Sequence, residues 1–141
     1  MRATWSAVKQ LICAAAVFIC AAAAFCLTRL PVFAQGKAYE LYDSANSSGQ
    51  SEVTKFPLLH KLTHLTAGES ARYAGDCKEE LAARYRATLV FCENVAGVEN
   101  CYYYSPLLGD PVDLGGRLVN LHIAVNAEQT VAGTPLIFGG C

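Results

Sequence analysis

The sequence predicts an α+β fold: two helices packed on a small antiparallel sheet, forming a disulfide-stabilised ectodomain. Three observations carry this. A charge-free apolar run, Leu11 to Leu27, follows Arg2 and Lys9 near the N-terminus. Two stretches with helical spacing then precede stretches rich in aromatic and β-branched residues, the order expected of helices on an antiparallel sheet. Four cysteines, Cys77, Cys92, Cys101 and Cys141, lie beyond the apolar run.

The apolar segment decides the compartment. A basic start, an apolar run and Val32-Phe33-Ala34 read as a secretory signal with a cleavage site after Ala34. The alternative is a retained signal anchor over residues 10–28, since spanning takes about 20 apolar residues. Either way, positive charge precedes the run, so the N-terminus stays cytoplasmic and residues 35–141 are translocated. The expected location is therefore secreted or cell-surface. Cys13, Cys20 and Cys26 lie inside the run as small, membrane-compatible side chains. Cys26 has no convincing lipobox context for a lipoprotein linkage.

Residues 35–51 (QGKAYELYDSANSSGQS) read as a polar linker, and residues 52–141 as the folded domain. Asn46-Ser47-Ser48 is a glycosylation sequon on a translocated segment, so Asn46 is expected to carry a glycan in a eukaryotic host. Residues 35–141 hold eight basic against twelve acidic side chains. With no basic patch, nucleic acid is not an expected partner.

Residues 57–66 (PLLHKLTHLT) predict the first helix. Pro57 suits its first position, and Leu58, Leu62 and Leu65 would be its buried stripe. His60 and His64 fall on the opposite face at a spacing that can hold a metal. The acid of a zinc-protease motif is missing between them, so they read as solvated and no metal site is assigned.

Residues 76–92 (DCKEELAARYRATLVFC) predict the second helix. Asp76 and Glu79 would form a capping box, and Cys77, Leu81, Tyr85, Thr88 and Cys92 would line its core face. Such a helix holds Cys77 and Cys92 about 22 Å apart, too far to bridge. The expected pairs are Cys92–Cys101 with Cys77–Cys141. Cys77–Cys101 with Cys92–Cys141 is the alternative. Residues 93–100 read as a loop, Cys101–Tyr104 as a strand, 107–116 as turns, 117–125 as a strand and 134–138 as the last strand.

No nucleophile–base pair, phosphate loop or paired-acid motif stands out. The chain reads as a non-enzyme with no catalytic residue and no cofactor. His122 falls on the more polar face of its strand and reads as a surface or satisfied histidine rather than a catalytic one. The expected function is a non-catalytic domain that mediates protein or cell-surface interaction. A single-pass accessory subunit of a larger membrane complex is the alternative. The expected partners are a protein or a host or cell surface, with the membrane as a further one if the N-terminal segment is retained.

Over residues 76–141, DCKEELAARYR, a variable segment, RLVNLHIAVN and Cys141 resemble the C-terminal half of the surface antigens of coccidian parasites. The resemblance implies a disulfide-linked α/β/α sandwich and a role in host-cell contact or immune exposure.

Overall fold

The computed structural model of the chain describes residues 2–44 and 50–138. It divides into two compact units, Met1–Leu30 and Pro31–Cys141.

The first unit is one helix, α1 (Arg2–Thr28). Alanine, leucine and isoleucine without an internal breaker favour its continuity. Thr28 donates its hydroxyl to the Phe25 carbonyl at 2.7 Å, closing the last turn. Trp5–Thr28 is long and apolar enough to cross a membrane.

The second unit is an antiparallel sheet with two helices. Its elements are β1 (Ala38–Tyr42), β2 (Ser51–Thr54), α2 (Pro57–Thr63), β3 (Gly68–Ala74), α3 (Lys78–Arg84), β4 (Thr88–Val95), β5 (Val98–Tyr104), β6 (Val112–Asp113), β7 (Leu118–Val119), β8 (Leu121–Val125) and β9 (Gln129–Thr134). Seven strands form one sheet in the order β2-β1-β3-β9-β8-β5-β4, and β6 pairs with β7 separately. The fold is mixed α and β, as expected, but the sheet is far from small, and α1 brings the helices to three.

One face of the sheet carries Tyr39, Ala71, Tyr73, Ala132, Ile123, Cys101 and Tyr103 in register across neighbouring strands. These residues join Leu81 and Tyr85 of α3 and Phe33 in the core. Helix α2 lies on the same face, where Lys61 reaches Glu69 of β3. The opposite face is covered by residues 135–138. There Phe138 stacks edge-on against Tyr42 with ring centroids 5.4 Å apart. This crossing needs Gly133, because a Cβ there would stand 2.7 Å from Ile137 Cγ1. The layers are thus helix and sheet, rather than helix, sheet and helix, among the described residues.

Several expectations are corrected. Residues 35–51 are not simply a linker. Tyr39 and Leu41 alternate with Ala38 and Glu40, and that period of two makes β1. The helix expected over 76–92 stops at Arg84. Arg86 takes a left-handed backbone at φ 50°, and the Ala87 N–H returns to the Ala82 carbonyl at 2.8 Å. This is a C-terminal stop built on a residue other than glycine. Thr88 to Phe91 then follow their strand preference into β4. The capping box does not form: Cys77 is the N-cap, without a side-chain cap bond. Asp76 accepts from the Lys78 N–H instead.

Residues 93–100 are a hairpin rather than a loop, with Val95 paired to Val98. Ala96 and Gly97 sit at φ 53° and 83°, the two-residue turn whose twist suits a hairpin. The last strand is 129–134, not 134–138.

The largest correction concerns α2. Its buried side carries Pro57 and Lys61, while Leu58, Leu59 and nearby Leu65 are exposed. Of the expected stripe, Leu58 and Leu65 face outward and Leu62 is half-buried. Lys61 turns inward because a buried carboxylate on β3 requires a cation.

Candidate functional site

That carboxylate is Glu69, 2% exposed. It sits on β3 and receives three donors. The Lys61 ammonium lies 2.8 Å from Oε2, the Val32 N–H 3.2 Å from the same oxygen, and the Phe33 N–H 3.0 Å from Oε1. A buried carboxylate is tolerated only with such compensation. The donors come from α2 and from the short segment Pro31–Ala34.

The same segment is held from its other side. Tyr85 donates its hydroxyl to the Val32 carbonyl at 2.9 Å, and Tyr73 donates to the Ala34 carbonyl at 3.0 Å. Burial raises the pKa of both phenols, most strongly that of Tyr73, so both remain donors at any physiological pH. Phe33 is fully buried and meets the Tyr85 ring edge-on with centroids 5.5 Å apart. Of the stretch read as a cleavage site, Phe33 is therefore buried in the domain core, while Val32 and Ala34 are held by their backbone groups with exposed side chains. Sequence reasoning missed this seat. The available signal was Phe33 itself, a large apolar residue beyond the apolar run.

His60 and His64 stack face to face, with centroids 4.5 Å apart. His60 Nδ1 lies 3.2 Å from Glu52 Oε2, and His64 Nδ1 lies 2.8 Å from the Thr63 hydroxyl. Parallel rings direct their lone pairs side by side rather than at one point. His60 is half-buried, not solvated. Among the described residues, Cys92, Glu99 and Cys101 are the one set of potential metal ligands whose donor atoms converge. Its two sulfurs are bonded to each other, at 2.04 Å.

That bridge is the expected Cys92–Cys101 pair. The two residues face each other directly on β4 and β5, with Cα atoms 4.1 Å apart. Cys77 carries a half-buried thiol that donates to the Ala74 carbonyl. Its expected partner Cys141 and the sequon residue Asn46 lie outside the described residues.

His122 is buried at one end of a stacked ladder. Phe91 and Tyr102 stack at 4.4 Å, and Tyr102 and His122 at 4.3 Å. The Arg117 guanidinium covers Phe91 at 5.1 Å. The Ile137 N–H donates to His122 Nδ1, so Nε2 carries the proton shared with Asn100 Oδ1. Both nitrogens are satisfied and the ring is neutral. Burial holds its pKa at about 4, against the nearby Glu93 carboxylate, which pulls upward.

The unfolded chain takes up this proton near the ordinary value of 6.5, so stability is full above that pH and is lost as pH falls toward 4. Between pH 7.5 and 5 the loss through this residue alone should be about 2 kcal/mol. Denaturant titrations at both pH values should show it, and His122→Gln should remove most of the difference.

No known protein family, curated protein or solved structure matches the chain. Among the described residues, one apolar helix of membrane-spanning length precedes an α+β domain that carries a disulfide.

Proposed function

We propose that this chain is a single-pass, membrane-anchored domain that acts outside the cytoplasm by non-catalytic interaction, with α1 retained. The observation that carries the reading is the seat of residues 31–34. Cleavage after Ala34 would remove Phe33 from the core and two N–H donors from a buried carboxylate. A folded product would lack part of its own interior. Retention favours an anchored subunit or surface protein over a released one. The bridge between Cys92 and Cys101 supports the same orientation, since disulfides persist in oxidising compartments, and that orientation makes the Asn46 sequon available to glycosylation.

Intact-mass measurement of the natural product, before and after glycosidase, tests both parts. The expected result is a chain that retains residues 1–34 and loses mass on deglycosylation in a eukaryotic host. A chain that begins at Gln35 overturns the anchor.

A further inference from the structure

The outward face of α2 is the least explained surface of the domain. Phe56 is 74% exposed and Leu59 68% exposed. With Leu58, Leu62, Pro31 and Lys55 they line one shallow groove. The inward side of the same helix carries the buried Lys61 and the half-buried His60. The helix thus turns Leu58 and Leu59 away from its own core, with Leu62 half-buried between the two sides. Contiguous exposed apolar surface of this kind marks an interaction site.

Chain connectivity says which site. Pro31 lines the groove, and it follows Thr28, the last residue of α1, by three residues. Three residues span at most about 10 Å. With α1 across a bilayer, that tether keeps this wall of the groove within reach of the lipid boundary. We propose that the apolar face of α2 inserts into the headgroup–acyl boundary of the membrane that α1 spans. Phe56 and Leu59 enter the acyl side. The Lys55 stem lies along the apolar surface while its ammonium meets lipid phosphate, as long basic side chains do at interfaces. The proposal rests on the retained anchor.

The test uses the full chain reconstituted into vesicles of phosphatidylcholine with phosphatidylserine, with a fraction of the lipid brominated near the top of its acyl chains. Leu59→Trp is made in a Trp5→Phe background, so one indole reports. Val95→Trp in the same background is the control, placed on β4 at the far edge of the sheet from β2. Bromolipid should quench Leu59→Trp at least about threefold more strongly than Val95→Trp, as expected for a side chain buried in the interface.

Equal quenching of the two, with the wild-type Trp5 still quenched, overturns the proposal and leaves the anchor standing. An indole at position 59 shielded from aqueous acrylamide but untouched by bromolipid also overturns it, in favour of a protein occupant. Loss of Trp5 quenching, with the chain released from vesicles, brings down the anchor reading itself.

Discussion

Glu69→Ala should be among the most damaging single substitutions in the domain, costing about 3–5 kcal/mol. Removing the carboxylate of a buried ion pair strips a desolvated ammonium of its counter-charge, here one held at 2.8 Å. Here Lys61 loses its carboxylate, and the Val32 and Phe33 N–H groups lose their acceptor as well. The total stability of a domain of this size is only about 5–15 kcal/mol. Two comparisons identify the cause. Lys61→Met should cost less, because two backbone donors still hold the carboxylate. Combining Glu69→Leu with Lys61→Met removes both charges but should recover only part of the loss, since the two N–H groups stay unsatisfied. Denaturant unfolding of the three variants measures this. Near-wild-type stability of the double variant would show that the segment 31–34 contributes little.

Phe33→Ala should cost about 3–5 kcal/mol, the range for truncating a buried aromatic. On a domain of roughly 100 residues this lowers the melting temperature by on the order of 15 °C. The loss combines the ring contact with Tyr85 and the cavity left beneath α3. Phe33→Leu, which keeps most of the volume, should cost less than half as much. A melting temperature unchanged in Phe33→Ala would mean that the domain folds without the segment, and with it would go the argument for a retained anchor.

How far the fold was legible follows from which signals act locally. The apolar run of α1 and a strand through Leu121–Val125 were readable because each depends on neighbours in sequence. The Cys92–Cys101 pair, in contrast, was reached from a helix that in fact ends at Arg84, and it forms because β4 and β5 make a hairpin. Leu81 and Tyr85 were placed in the core from helical spacing and are there. Thr88 and Cys92 were carried along by the same spacing, and they failed because Arg86 ends the helix with a backbone conformation uncommon outside glycine. Residues 66–75 gave no clear signal. In Gly68–Ala74 both faces are covered, so polar and small residues such as Glu69, Ser70 and Ala71 are buried in succession. The site was the least legible part. The charge of Glu69 is matched by Lys61 and by backbone donors of residues 32 and 33, and nothing local ties those positions together. Once Glu69 takes Lys61 inward, Leu58 and Leu59 have nowhere to face but outward.

The sheet order also sets a timetable for synthesis. Strand β3 completes its second edge only with β9, pairing Glu69 with Thr134 and Ala74 with Gln129. The two strands are separated by residues 75–128, so at about 5–20 residues per second the chain grows for roughly 3–11 s between them. Throughout that interval β3 has only its β1 edge paired, so a chain stopped anywhere before residue 129 leaves Glu69–Ala74 with one open edge.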